Sequence, residues 1–212
     1  GRPLTSQQLD AFTLFSELLL QWNTKINVTA IRESLGVETL HFVDSLAALP
    51  ALPAFEGPRV VDIGSGGGLP GLALRVARPD LALTLVDSIA KKVRVMNEIA
   101  TGLGLAGDVA DGVRPVELIA ARAEELGQRK GMRESFDVAL ARAVGATAVV
   151  AELTLPLVKV GGEVLLWKKR DIDDELAEAE GAIRKLGGKV TRRMLVDLPE
   201  GTSLETTANT AR

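Results

Sequence analysis

The chain has 212 residues, of which 46% are hydrophobic and only 3% aromatic, with a formal net charge of −3; this fits one domain with a short appendage and an aliphatic core of Leu, Val, Ile and Ala. The absence of cysteine removes disulfides, zinc–thiolate sites and cysteine nucleophiles together and fits a reducing cytoplasm, and no metal site is expected. No apolar run suffices for a bilayer, no signal peptide is read, and the negative balance argues against a broadly basic coat while leaving room for a local basic patch.

The first 50 residues read as helical. Thr5 and Gln8 form a capping-box pair, and Leu9, Phe12, Leu18, Leu19 and Trp22 follow at near-helical spacing. Residues 22–29 are polar and irregular. A second helical stretch carries His41, Asp44, Ser45 and Leu49, and Pro50, Pro53 and Pro58 then break the chain. From Arg59 the texture changes. Short apolar runs at residues 60–63, 81–87, 116–119, 136–141 and 164–167 read as strands, and helical patterns lie at 70–77, 90–103, 146–158 and 171–186. Alternation at this spacing predicts βαβ units and a mostly parallel sheet with helices on both faces, a Rossmann-like α/β fold. Residues 102–114 read as a loop. The domain reading is a helical N-terminal extension over 1–55, a Rossmann-like ligand-binding unit over 56–200 and a loosely ordered tail over 201–212, where no strand or helix period is visible.

Gly64-Ser65-Gly66-Gly67-Gly68-Leu69-Pro70-Gly71 follows the first strand and opens a helix. Gly66, Gly68 and Gly71 satisfy G-x-G-x-x-G, a weak signal alone. The glycines allow a tight turn and let a ligand lie on the backbone, and Pro70 suits the first helical turn. A dinucleotide would need its pyrophosphate at that helix N-terminus. Asp62, two residues before the first glycine, would repel a pyrophosphate but can face a ligand's ammonium, directly or through water. The pattern from Asp62 through Gly64, Gly66 and Gly68 therefore favours S-adenosylmethionine over NAD. Asp87, at the end of the second strand, is placed to hold ribose hydroxyls of either cofactor. An NAD-dependent oxidoreductase and a non-catalytic RNA-binding module stay open as alternatives.

The rest of the chain narrows the chemistry. Without cysteine there is no nucleophile for methylating a pyrimidine ring carbon. The Asn/Asp-Pro-Pro-aromatic loop associated with exocyclic amines is absent after the fourth strand, which ends Leu140-Ala141-Arg142-Ala143. His41 is the sole histidine, outside the Rossmann segment, so general-base chemistry has few candidates. An acceptor that is already nucleophilic, such as N7 of guanine, needs little beyond positioning. Arg142 at the sheet's C-terminal edge either stacks on a base or bridges a phosphate, or pairs with a nearby carboxylate. His41 and Asp44 share a helix face; a hydrogen-bonded core pair is favoured over a catalytic one. Ala123 and Glu124 follow the third strand, where adenine would sit, although an exposed helical Glu is the simpler reading. Lys91, Lys92 and Arg94, and Lys168, Lys169 and Arg170, follow strand ends on the ligand side, where a phosphate backbone could use them. Phe12 and Trp22 read as core.

Several stretches taken together resemble the RsmG (GidB) family of bacterial 16S ribosomal RNA methyltransferases: residues 22–30 (WNTKINVTA), His41-Phe42-Val43-Asp44-Ser45-Leu46, residues 62–71 (DIGSGGGLPG), Val86-Asp87-Ser88 with Lys91-Lys92, and Phe136-Asp137-Val138 leading to Ala141-Arg142-Ala143. The resemblance runs from about Leu9 to Lys169. It implies methylation of N7 of a guanine in the decoding-region loop of 16S ribosomal RNA, with the small ribosomal subunit as partner; the sequence does not give the oligomeric state, for which a monomer is only the default. It implies a cofactor pocket including Gly64, Leu69, Asp87, Ser88, Ala123, Glu124 and Arg142, to which the loop pattern adds Asp62, Gly66 and Gly68. It places Asn27, Thr29, His41 and Asp44 at the active-site border. The C-terminus departs from the family's basic closing strand, so the last sheet strand is expected to be missing or altered.

Overall fold

The structure, a computed structural model, describes residues 3–168, 171–196 and 207–211. Helix α1 (Ser6–Asn23) opens on the capping box: Gln8 N donates to Thr5 Oγ1 at 3.2 Å, and Thr5 N to Gln8 Oε1 at 2.9 Å. Its buried face is Phe12, Phe15 and Leu19, with Phe12 and Phe15 against the Phe42 ring. Helix α2 (34–46) is α-helical at both ends, with a π-helical stretch at Val37–Val43.

The βα alternation follows. Its elements are β1 (Arg59–Ile63), α3 (Gly71–Ala77), β2 (Ala82–Asp87), α4 (Ala90–Gly102), β3 (Glu117–Ala120), α5 (Ala123–Leu126), β4 (Phe136–Arg142), α6 (Thr147–Thr154), β5 (Val158–Trp167), α7 (Asp173–Lys185), β6 (Lys189–Met194) and β7 (Thr207–Ala211). The described strands form one sheet in the order β3-β2-β1-β4-β5-β7-β6. The first five pair in parallel, and β7 runs antiparallel to both β5 and β6. β1 is buried on both faces after its first residue, as a central parallel strand must be. One face packs against α1–α4 through Leu19, Phe42, Leu72 and Met96; the other carries Leu126, Val150, Leu155 and Ile183 from the later helices. Strand order reverses between β1 and β4, which opens a ligand crevice at their carboxyl ends.

Three expectations are corrected. The pattern read as helix over 146–158 stops at Thr154, and Leu155–Leu157 is a 3-10 turn, because Pro156 lacks the N–H a helix needs. β5 begins at Val158 rather than 164, its first half largely exposed and carrying Gly161 and Gly162, so no continuous apolar run marks it. The tail expected to be loosely ordered contains β7, seated between two neighbours; the last strand is present. Backbone pairing on both edges holds a Thr/Ala/Asn segment that shows no alternation. Residues 201–206 and 212 of that tail, like Lys169 and Arg170, lie outside the described residues. Among the described residues, no helix is long and apolar enough to cross a membrane, and no cluster of metal-ligating side chains occurs.

Candidate active site

The carboxyl ends of β1, β2 and β4 carry the chemistry-bearing residues. After β1 the chain turns through Gly64, Gly66 and Gly68, all at positive φ (72°, 56° and 88°), a region that side chains with a Cβ rarely adopt. Gly71 is required for space: a Cβ there would lie 2.8 Å from Asp62 Oδ2 and 2.7 Å from Leu85 Cδ2. Asp62 was expected to face a ligand, but it has no exposed surface and lies beneath the loop. Its Oδ2 accepts from Gly71 N at 2.8 Å, while Oδ1 has no hydrogen-bond partner. Burial outweighs that hydrogen bond and pushes the carboxyl up to about 7. Asp62 thus braces the turn from below.

Asp87 ends β2. Its Oδ2 accepts from Gly66 N at 3.1 Å and its Oδ1 from Ile89 N at 2.8 Å, which couples the glycine loop to the next strand. Each oxygen keeps a lone pair for a further donor, an acceptor pair suited to two adjacent ribose hydroxyls. Ser88 beside it is exposed. Leu69 is buried. At the end of β3, Ala123 is buried and Glu124 exposed in the first turn of α5.

Arg142, the last residue of β4, sits at the centre of a second group. Its Nη1 donates to Asp44 Oδ2 at 2.8 Å and to Ser45 Oγ at 3.3 Å; Nη2 lies 3.4 Å from His41 Nδ1. The three partners come from α2, within and just after its π-helical stretch, a local widening common at functional sites. His41 and Asp44 do share a face, but they meet through Arg142 rather than with each other. A guanidinium only donates, so His41 Nδ1 accepts; Nε2 then carries the proton and donates to Thr29 Oγ1 at 2.6 Å. Burial, then the adjacent Arg142 charge, lowers the imidazole to about 4, so it is neutral at physiological pH. Burial also raises the Asp44 carboxyl, against the pull of Arg142. Thr29 is positioned by Asn23, whose Oδ1 accepts from Val28 N and Thr29 N at 3.0 and 3.1 Å. Asn27 stands apart: exposed, it accepts from Arg32 at 3.2 Å and joins none of this network.

A cavity of about 670 Å³ opens beside Arg142, lined by His41, Asp44, the 143–146 loop, Trp167, Lys168 and Glu175 among others. Trp167 Nε1 donates to the Asp44 carbonyl at 3.1 Å, tying β5 to α2. Val144 rests on the glycine loop, since a Cβ at Gly64 would lie 2.8 Å from Val144 Cγ2. Glycine loop and cavity are therefore neighbours across one residue. Lys168, read from sequence as a phosphate contact, instead turns inward to Glu175 and the Gly145 carbonyl, both at 2.6 Å. Lys91 and Arg94 are exposed on α4, and Lys92 is half-buried. Phe12 is core, while Trp22 is half-buried with the Lys25 ammonium 4.8 Å from its ring centroid. Sequence reasoning missed Ser45, Trp167, Thr147 and Glu175 as parts of the site. Glu175 meets Thr147 across 28 positions, and no local pattern encodes that meeting.

Comparison with known proteins covers most of the chain. The family model described as rRNA small subunit methyltransferase G matches residues 8–199. A protein named ribosomal RNA small subunit methyltransferase G from Alkaliphilus oremlandii is 38% identical over 196 residues, covering 92% of this chain and 79% of its own. One of the same name from Leuconostoc mesenteroides is 41% identical over 204 residues, covering 95% and 82%. Among solved structures, a precorrin-6y C5,15-methyltransferase from Geobacter metallireducens superposes with a TM-score of 0.55 at 15% identity, covering 79% of this chain and 86% of that one. That likeness speaks to the fold alone.

Proposed function

The chain belongs to the rRNA small subunit methyltransferase G family, and from that premise we propose that it methylates N7 of a guanine in the decoding-region loop of 16S ribosomal RNA, using S-adenosylmethionine. The observation that carries the reading is the adjacency of the two sites. The glycine loop and Asp87 form a cradle suited to a nucleoside cofactor, and Val144 separates it from a cavity large enough for a base.

S-adenosylmethionine supplies an electrophilic methyl group on a cationic sulfur. Asp87 offers its carboxylate to the ribose; Gly64, Gly66 and Gly68 let the ligand approach the backbone; Ser88, Leu69, Ala123 and Glu124 border the base end. Asp62, without exposed surface, acts on the cofactor through the loop it braces: its carboxyl lies beneath the turn, and a cation resting on that turn would lower its raised pKa.

The chain's own residues suit an acceptor that needs no deprotonation. The one imidazole is neutral with both nitrogens engaged, so it is not poised as a general base. A ring-nitrogen lone pair needs only aim and exclusion of water. Methylating N7 leaves positive charge on the purine. Both described cations in the cavity wall are already matched, Arg142 by Asp44 and Lys168 by Glu175, so the wall does not oppose that charge. Arg142 serves as a positioning group that fixes α2 against β4 and presents its remaining surface to the cavity. The exposed Lys91 and Arg94 supply a phosphate-facing patch.

The test is methyl transfer from labelled cofactor to 30S subunits taken from a strain lacking this modification, followed by digestion to nucleosides. Label in 7-methylguanosine is expected. Label in another nucleoside, or none, overturns the reading.

A further inference from the structure

We infer that Lys168 and Glu175 form a positioning device that holds the β4–α6 loop, and so sets the distance between the cofactor cradle and the acceptor cavity; this rests on the methyltransferase reading above. Loop residues 143–146 are the wall shared by the two sites. On one side Val144 packs on Gly64; on the other the loop lines the cavity. Ala143 is held at φ 57°, a left-handed conformation unfavourable for a residue with a Cβ. Such a conformation persists only where its surroundings over-determine it.

The surroundings here are specific. Glu175 Oε1, from the first turn of α7, takes three donors: Thr147 N at 2.6 Å, Thr147 Oγ1 at 2.7 Å and Lys168 Nζ at 2.6 Å. Lys168 Nζ also donates to the Gly145 carbonyl at 2.6 Å. The loop is thus fixed at Gly145 by the end of β5 and at Thr147 by α7. The Lys168 side chain is 11% exposed, and its ammonium is engaged by these two acceptors. Burial raises the Glu175 carboxyl, but its Lys168 and Thr147 donors together hold it below its ordinary value, so it stays a carboxylate across the working pH range. Alignment of donor and acceptor atoms in transfer is sensitive at the scale of an ångström, so a loop released from this pin moves the wall out of register.

The experiment compares Lys168→Met, Lys168→Arg and Glu175→Gln with the wild-type protein. Lys168→Met is expected to lower kcat on 30S subunits by on the order of tenfold to a hundredfold, with KM for subunits, calorimetric affinity for S-adenosylhomocysteine and melting temperature staying close to wild type. Lys168→Arg, which keeps a cation able to reach both acceptors, is expected to restore most of kcat. Hydrogen exchange adds a readout independent of turnover: amides of 143–147 are expected to exchange faster in Lys168→Met while those of β4 stay protected. A raised KM with unchanged kcat would show Lys168 to be an RNA contact and overturn the inference, as would a parallel fall in kcat, cofactor affinity and melting temperature. Should Lys168→Met fail to fold, a Glu175→Gln protein with wild-type kcat and wild-type exchange overturns it. Wild-type turnover, measured alongside, tests the methyltransferase reading separately.

Discussion

Replacing Arg142 with Met keeps the hydrophobic stem and removes the guanidinium. Asp44, its side chain 5% exposed, would then lose its 2.8 Å ion pair, the one it makes among the described residues. Breaking a buried pair by deleting one partner typically costs about 3–5 kcal/mol. The Arg142 side chain keeps 14% exposure, so the lower end, about 3 kcal/mol, is the expected loss. For a chain of this length that corresponds to a melting temperature lowered by about 6–12 °C. The sign with pH is also fixed. Burial already raises the Asp44 carboxyl and Arg142 opposes the rise; without Arg142 the folded state binds a proton more readily than the unfolded chain. The deficit is therefore largest above the carboxyl's folded-state pKa and shrinks as pH falls toward its unfolded value. Urea titrations of wild type, Arg142→Met, Asp44→Asn and the double variant, each at two pH values, measure the coupling. The double variant should recover most of the loss. A loss below about 1 kcal/mol in Arg142→Met, or no recovery in the double variant, would falsify the buried-pair account.

Gly71→Ala introduces a Cβ 2.8 Å from Asp62 Oδ2 and 2.7 Å from Leu85 Cδ2, and is expected to destabilise by about 1–3 kcal/mol in thermal melts. Asp87→Ala removes both the acceptor for Gly66 N and the ribose partner, so calorimetric affinity for S-adenosylhomocysteine is expected to fall by about tenfold or more. His41 is lowered to about 4 by burial and then Arg142, so its imidazole resonances should not titrate between pH 5.5 and 8, and one histidine makes the NMR spectrum unambiguous; a midpoint near the free value of about 6.5 refutes the buried assignment. Because this folded pKa lies below the unfolded one, the unfolded chain binds the extra proton, and the stability His41 contributes is lost as pH falls from about 6.5 toward about 4.

Local patterns carried much of the fold. The capping box, the five parallel strands and the glycine turn are written in nearest-neighbour chemistry, and Asp62, Asp87 and Arg142 stand out because strand ends in such sheets are where ligands gather. Two kinds of feature escaped. The sheet's antiparallel margin is held by pairing partners rather than by its own alternation, so Thr207–Ala211 carries no local signature. The direction of a side chain was the other: Asp62 points under the turn, Lys168 points inward, and Asn27 stays outside the network, although all three occupy positions that suggested ligand contact. Spacing places a residue at the edge of a site, but long-range packing decides which way it faces.

Gly67 lies where a Cβ would come within 2.7 Å of Leu19 Cδ1 and in contact with Val28. The leading helix and the polar segment after it are thereby part of the floor of the glycine turn. A hybrid enzyme that joined this turn to another relative's first fifty residues would inherit a mismatched fit at that spot unless positions 19 and 28 travelled with it. The same contact makes a bulkier residue at either position a means of altering cofactor affinity from outside the nucleoside cradle.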